Sequence, residues 1–114
     1  NATPADDVVR RLSEPYSSGI LIENFAENQG NLKGTYRYRG IWEMIDQVLV
    51  SGWLRDCPQG IFTNQEMFSV IESGFLFRKD PVYPGMSPFS TWNGFRYQGG
   101  FSDHLPVVLG LKVR

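Results

Sequence analysis

The chain has 114 residues, room for one ordinary domain and too few for two. Hydrophobic residues make up 41% and charged residues 20%, a balance that fits a packed core and argues against disorder. The net charge of −1 lacks the basic excess of a strong non-specific DNA binder, and the single cysteine excludes an internal disulfide or a multi-cysteine metal site. No apolar run reaches the ~20 residues of a transmembrane segment.

The opening "NATPADDVVRRLSEP" predicts a helix of about three turns. Thr3 can cap it, Pro4 suits its first position, Asp6 and Asp7 complement its dipole, and Pro15 stops it near Glu14. Residues 20–27, "ILIENFAE", fit either a short strand or irregular structure, and "NQGNLKG" reads as a loop. "TYRYR" and "IWEMIDQVLVS", separated around Gly40, predict a tight hairpin from their aromatic and β-branched residues. Residues 51–65 read as a connection that carries Cys57 as an incidental loop residue, and residues 66–77 as at least one strand with a bend at Gly74. "RKDPVYPGMSPFSTWNG" holds three prolines and predicts a long ordered surface loop, and "LPVVLGLKV" a buried terminal strand. The sum is several strands with little helix, an α+β or mixed-sheet arrangement.

Three side chains could carry chemistry. Asp46 sits in "IWEMIDQVLV", expected on a strand face with Trp42, Met44, Val48 and Val50, so it needs a donor: backbone N–H, an arginine or His104. His104, the only histidine, follows Gly99 and Gly100 and precedes an apolar run, a junction that holds a side chain on rigid support at a cleft. If Asp46 accepts from one ring nitrogen, the tautomer is fixed and the other nitrogen is left to work. Asp103 points either to solvent, to a water or hard cation, or serves as a turn residue. Trp92, Asn93 and Arg96 in the loop leading to His104 are candidate substrate contacts; Tyr36, Arg37, Tyr38 and Arg39 are either a second such cluster or cross-strand packing pairs.

"GGFSDHLPVVLGL" together with "WEMIDQVLVS" resembles the C-terminal signature of the endonuclease/exonuclease/phosphatase superfamily, in particular a divergent bacterial branch. The initial "NATP" is similar to the end of that family's Gly-Asp-Phe-Asn segment. The resemblance implies the C-terminal part of a DNase I-like four-layer β-sandwich, mainly one mixed or antiparallel sheet with few helices, with the N-terminal part of the domain outside these residues. It implies metal-dependent hydrolysis of phosphodiesters or phosphomonoesters with Mg²⁺ or Mn²⁺, and nucleic acid as one possible substrate. It makes His104 the catalytic histidine, Asp46 the acid that orients it, Asp103 a metal-binding acid and Asn1 a contact to the scissile phosphate. With the family's chief metal-binding Glu not in this sequence, the chain alone is expected to be inactive, its exposed sheet covered by the rest of the domain or by a second copy. The competing reading is a non-enzymatic β module whose Trp42, Trp53 and Trp92 form an exposed platform for carbohydrate or another ligand; it does not require Asp46 near His104.

Overall fold

The computed structural model describes residues 2–13, 21–27 and 33–114. Asn1, the expected helix stop at Pro15 and most of the expected loop before Gly34 lie outside the described residues. The helix, α1, is Asp7–Ser13, shorter than the sequence predicts. Instead of Thr3 capping it, the Asp6 carboxylate accepts from the Thr3 N–H and hydroxyl, which closes a separate turn over residues 3–6 and delays the first helical hydrogen bond to Arg10 N–H and Asp6 O. Val9 is its one buried residue.

The remaining elements are strands of two or three residues: β1 Ile22–Asn24, β2 Tyr36–Tyr38, β3 Ile41–Glu43, β4 Leu49–Ser51, β5 Ile61–Phe62, β6 Phe68–Val70, β7 Phe77–Lys79, β8 Met86–Pro88, β9 Trp92–Asn93, β10 Arg96–Tyr97, β11 Val107–Leu109 and β12 Lys112–Val113. Single 3₁₀ turns at Gln65–Met67 and Gly74–Leu76 introduce β6 and β7. Among the described residues the strands form six separate antiparallel ladders, β1–β4, β2–β3, β5–β12, β6–β11, β7–β8 and β9–β10, rather than the single sheet expected. The fold is thus β-rich α+β.

Three further expectations are corrected. The β2–β3 hairpin forms, with Tyr36 opposite Glu43, but "IWEMIDQVLVS" does not run on as one strand: residues 44–48 leave the ladder before β4 pairs with β1. Asp46 therefore lies in a link, not on a strand face. The proline-rich segment is two hairpins, because Asp80 organises a turn: its Oδ1 accepts from Val82 and Tyr83 N–H, and its own N–H donates to Gly85 O. The terminal "LPVVLGLKV" breaks at Gly110 and Leu111, so that β11 pairs with β6 and β12 with β5, and Val108, Lys112 and Val113 are exposed.

Two apolar clusters hold these pieces together. Phe25, Ala26, Val50 and Phe68 form one, and Val70, Leu76 and Leu105 the other, with Met44 and Val107 packed against both. Phe68 and Val70 are two residues apart on β6, so the same strand face serves both clusters. Asn24, buried at the end of β1, satisfies itself by accepting from Ala26 N–H and donating to Gln47, whose amide in turn donates to Ala2 O. That chain of bonds secures the 44–48 link on which the site depends.

Candidate active site

The loop ahead of His104 is fixed by backbone packing. At Gly100 an added Cβ would lie 2.1 Å from Phe89 O, so only glycine lets the loop press this closely on the end of the β7–β8 hairpin. Phe101 N–H donates to Phe89 O and the Thr91 hydroxyl to Phe101 O, and the chain then turns through Ser102, whose Oγ accepts from His104 N–H at 3.0 Å. His104 forms an isolated antiparallel bridge with Tyr36, and their rings lie 5.1 Å apart at 42°. Leu105, 2% exposed, anchors the far side in the core.

Asp46 reaches this imidazole from the link after β3. Its Oδ2 is 2.7 Å from His104 Nδ1. An ionised carboxylate only accepts, so Nδ1 carries the hydrogen and Nε2 is the nitrogen left for another partner. Both side chains are about one-third exposed, enough for Nε2 to meet a ligand.

A residue the sequence reading passed over joins the two. Thr35, fully buried, accepts with its hydroxyl from the N–H groups of Ile45 and Asp46, at 3.3 and 3.2 Å, while its carbonyl accepts from Leu105 N–H at 2.7 Å. One threonine thus sets the spacing between the Asp46 link and the His104 segment.

Beside the pair lies an open groove of about 370 Å³, walled by Tyr36, Arg39, Arg78, Trp92, Asn93 and Asp103. His104 is not in its wall; the groove meets the pair through Tyr36, against the imidazole, and Asp103, its chain neighbour. Arg37 is structural here: its guanidinium bonds the Asp80 carboxylate at 2.6 Å and Pro84 O, and its side chain is 6% exposed. Asp80 is held below the ordinary carboxylate range chiefly by the Tyr83 and Val82 N–H bonds, with Arg37 and Arg78 adding to the effect.

Of the other expected site residues, Asp103 is exposed and borders a second concavity shared with Trp92, Phe101 and Ser102. Trp92 and Asn93 reach the groove, whereas Arg96 stands exposed on β10 outside its wall. Asn1 lies outside the described residues. Among the described residues no group of three or more His, Cys, Asp or Glu could hold a metal ion, so Asp103 alone does not fit a complete cation site. Of the tryptophans, Trp53 and Trp92 are exposed, but Trp42 packs edge-on to Phe77 and against the Leu105 cluster, so the three do not make one open platform. Arg39 stood in the sequence within an aromatic-basic cluster open to either substrate contact or packing, whereas Arg78 carried no signal; the groove is built from strands whose pairing had to be seen first.

A model of the Endonuclease/Exonuclease/phosphatase family matches residues 6–113. No curated protein and no solved structure matches the chain. Among the described residues no helix is long and apolar enough to cross a membrane.

Proposed function

The chain belongs to the endonuclease/exonuclease/phosphatase family, and from that premise we propose that it serves hydrolysis of a phosphodiester or phosphomonoester, with His104 as the working imidazole and Asp46 as the residue that positions it. The observation that supports this reading is the 2.7 Å bond between Asp46 and His104 Nδ1, which leaves Nε2 for a phosphoryl group. Water attacks phosphorus and the ester oxygen leaves. Nε2 takes a proton from the attacking water; the imidazolium so formed donates a hydrogen bond to a phosphoryl oxygen and later returns the proton to solvent, from which the departing oxygen is protonated.

Asn1, on its likeness to the family asparagine, is proposed as a further contact to the scissile phosphate. Trp92 and Asn93 are proposed to contact the substrate from the groove. Arg96, exposed on the neighbouring hairpin, is proposed for substrates long enough to pass it, nucleic acid among them. Mg²⁺ or Mn²⁺ is proposed as the cofactor of the intact enzyme. Asp103 is proposed as one of its ligands; among the described residues no group of three or more His, Cys, Asp or Glu could hold the ion, and the remaining ligands are proposed to come from further polypeptide of the intact enzyme. That polypeptide, or a second copy, is also proposed to complete the DNase I-like sandwich and to cover exposed apolar side chains such as Ile41 and Val113.

The test is turnover of a generic phosphodiester with divalent cation. In an enzyme extended to the whole family domain, His104→Ala is expected to lower the rate by about 10²- to 10⁴-fold and Asp46→Asn by less. The 114-residue chain alone is expected to stay at background. Negligible losses from both substitutions would remove the pair from the mechanism. Robust hydrolysis by the short chain, abolished by His104→Ala, would overturn the need for further ligands.

A further inference from the structure

We propose that the groove beside His104 is a subsite for a second anionic group of the substrate, so that the preferred substrate is a small phosphoester bearing a further phosphate, held by Arg39 and Arg78. The inference rests on the phosphoester reading of the His104–Asp46 pair and adds to it a substrate class.

The two arginines that line the groove beside Arg37 are not tied to a carboxylate. Arg10, Arg37 and Arg55 each bond a carboxylate. Among the described residues the Arg39 and Arg78 side chains have no carboxylate within ion-pair distance and no hydrogen bond. Their guanidinium groups rest instead on aromatic rings, Arg39 over Tyr38 at 5.1 Å and Arg78 over Phe89 at 6.0 Å. A ring steadies the cation and leaves its N–H donors free for a planar or tetrahedral oxyanion. Asp80, an acid in the same wall, is already committed: Oδ1 to two backbone N–H groups and Oδ2 to Arg37. Arg37 Nε, buried in that wall, has no partner either.

Arg39 also occupies a costly position. It is the first turn residue of the β2–β3 hairpin at φ 49°, followed by Gly40 at φ 83°. A two-residue turn with both φ positive favours Asn, Asp or Gly at that place, and arginine there gives up turn stability for a side chain at the groove. Asp103, also in the groove wall, repels an anion, so the subsite is assigned to the arginines. The volume of about 370 Å³ suits one phosphorylated group rather than a stretch of polymer.

The test is calorimetric binding to the 114-residue chain of adenosine 3′,5′-bisphosphate against adenosine 5′-monophosphate, which needs no turnover. The bisphosphate is expected to bind about tenfold tighter, from added charge-assisted hydrogen bonds. Arg39→Asn with Arg78→Gln is expected to bring the two ligands to within about twofold of each other. Arg39→Asn suits the turn, so the variant should fold, and an unchanged circular dichroism spectrum checks it. His104→Ala is expected to keep the preference while weakening both ligands. A wild-type chain without preference, or a double variant that retains it, overturns the subsite. Loss of hydrolytic effect at His104 in the extended enzyme would instead strike the phosphoester reading, and the two failures are read in separate assays.

Discussion

Thr35 spends every polar atom on the site. Its N–H donates to Glu43 O at 3.0 Å, its carbonyl accepts from Leu105, and its hydroxyl accepts from the Ile45 and Asp46 N–H groups. Thr35→Val keeps the shape and removes that acceptor, leaving two partly buried donors unsatisfied. Urea denaturation is expected to show a loss of about 1–3 kcal/mol, and Thr35→Ser to recover most of it. In the extended enzyme the valine variant is expected to slow turnover as Asp46→Asn does, since Asp46 loses the bonds that place it. None of this was legible beforehand. In "GTYRYRG" a threonine reads as a strand former, and nothing local announces bonds to residues 46 and 105. His104 and Asp46 were legible, because an acid in an apolar run needs a donor and an imidazole after two glycines is placed with care. Their direct bond spans 58 residues, so no local pattern announces it; the family resemblance implied the pairing, and the structure gives its geometry.

At the scale of elements, the sequence pattern found the β2–β3 hairpin and the strand at 68–70 but overestimated lengths throughout. Periodicity saw apolar continuity from Ile41 to Ser51 and from Leu105 to Val113. It could not see that each run changes partner midway, from β2 to β1 in one case and from β6 to β5 in the other. The proline-rich stretch misled for a different reason: its order comes from one carboxylate, not from strand propensity. That carboxylate makes the β7–β8 turn sensitive to acid. Because the folded pKa of Asp80 lies below its ordinary 3.8, the turn gains its full stabilisation above pH 3.8 and loses it as the pH falls from there through the folded value. The protection of the Val82 and Tyr83 amides, measured against the intrinsic exchange rate at each pH, is expected to fall over that acidic window and to be unchanged between pH 5 and 7. Asp80→Asn, which keeps one acceptor oxygen but removes the charge facing Arg37, is expected to loosen the turn already at neutral pH.

The whole molecule is loosely drawn together. Its radius of gyration is 16.6 Å, against roughly 13 Å for a compact domain of this size, and its extents are 48 × 32 × 25 Å. Large apolar side chains such as Trp53, Phe95 and Val113 are more than three-quarters exposed. The chain by itself is accordingly expected to bind a hydrophobic dye strongly while keeping a folded circular dichroism spectrum, and covering by further polypeptide is expected to quench that binding. A dye signal no higher than that of a well-packed protein of the same length would contradict the exposed surface.

The ladders divide by the distance between their strands along the chain. β2–β3, β7–β8 and β9–β10 are hairpins between near neighbours, whereas β1–β4, β6–β11 and β5–β12 tie together remote stretches. Hairpins close within microseconds, but remote ladders wait on the entropy of closing long loops. A polypeptide emerging from the ribosome therefore displays Asp46 and the finished β2–β3 turn well before the imidazole exists to meet them. The Asp46–His104 bond forms only when the segment after Gly100 folds back across Thr35, so the pair proposed to act on a phosphoester is still unmade in a half-synthesised chain.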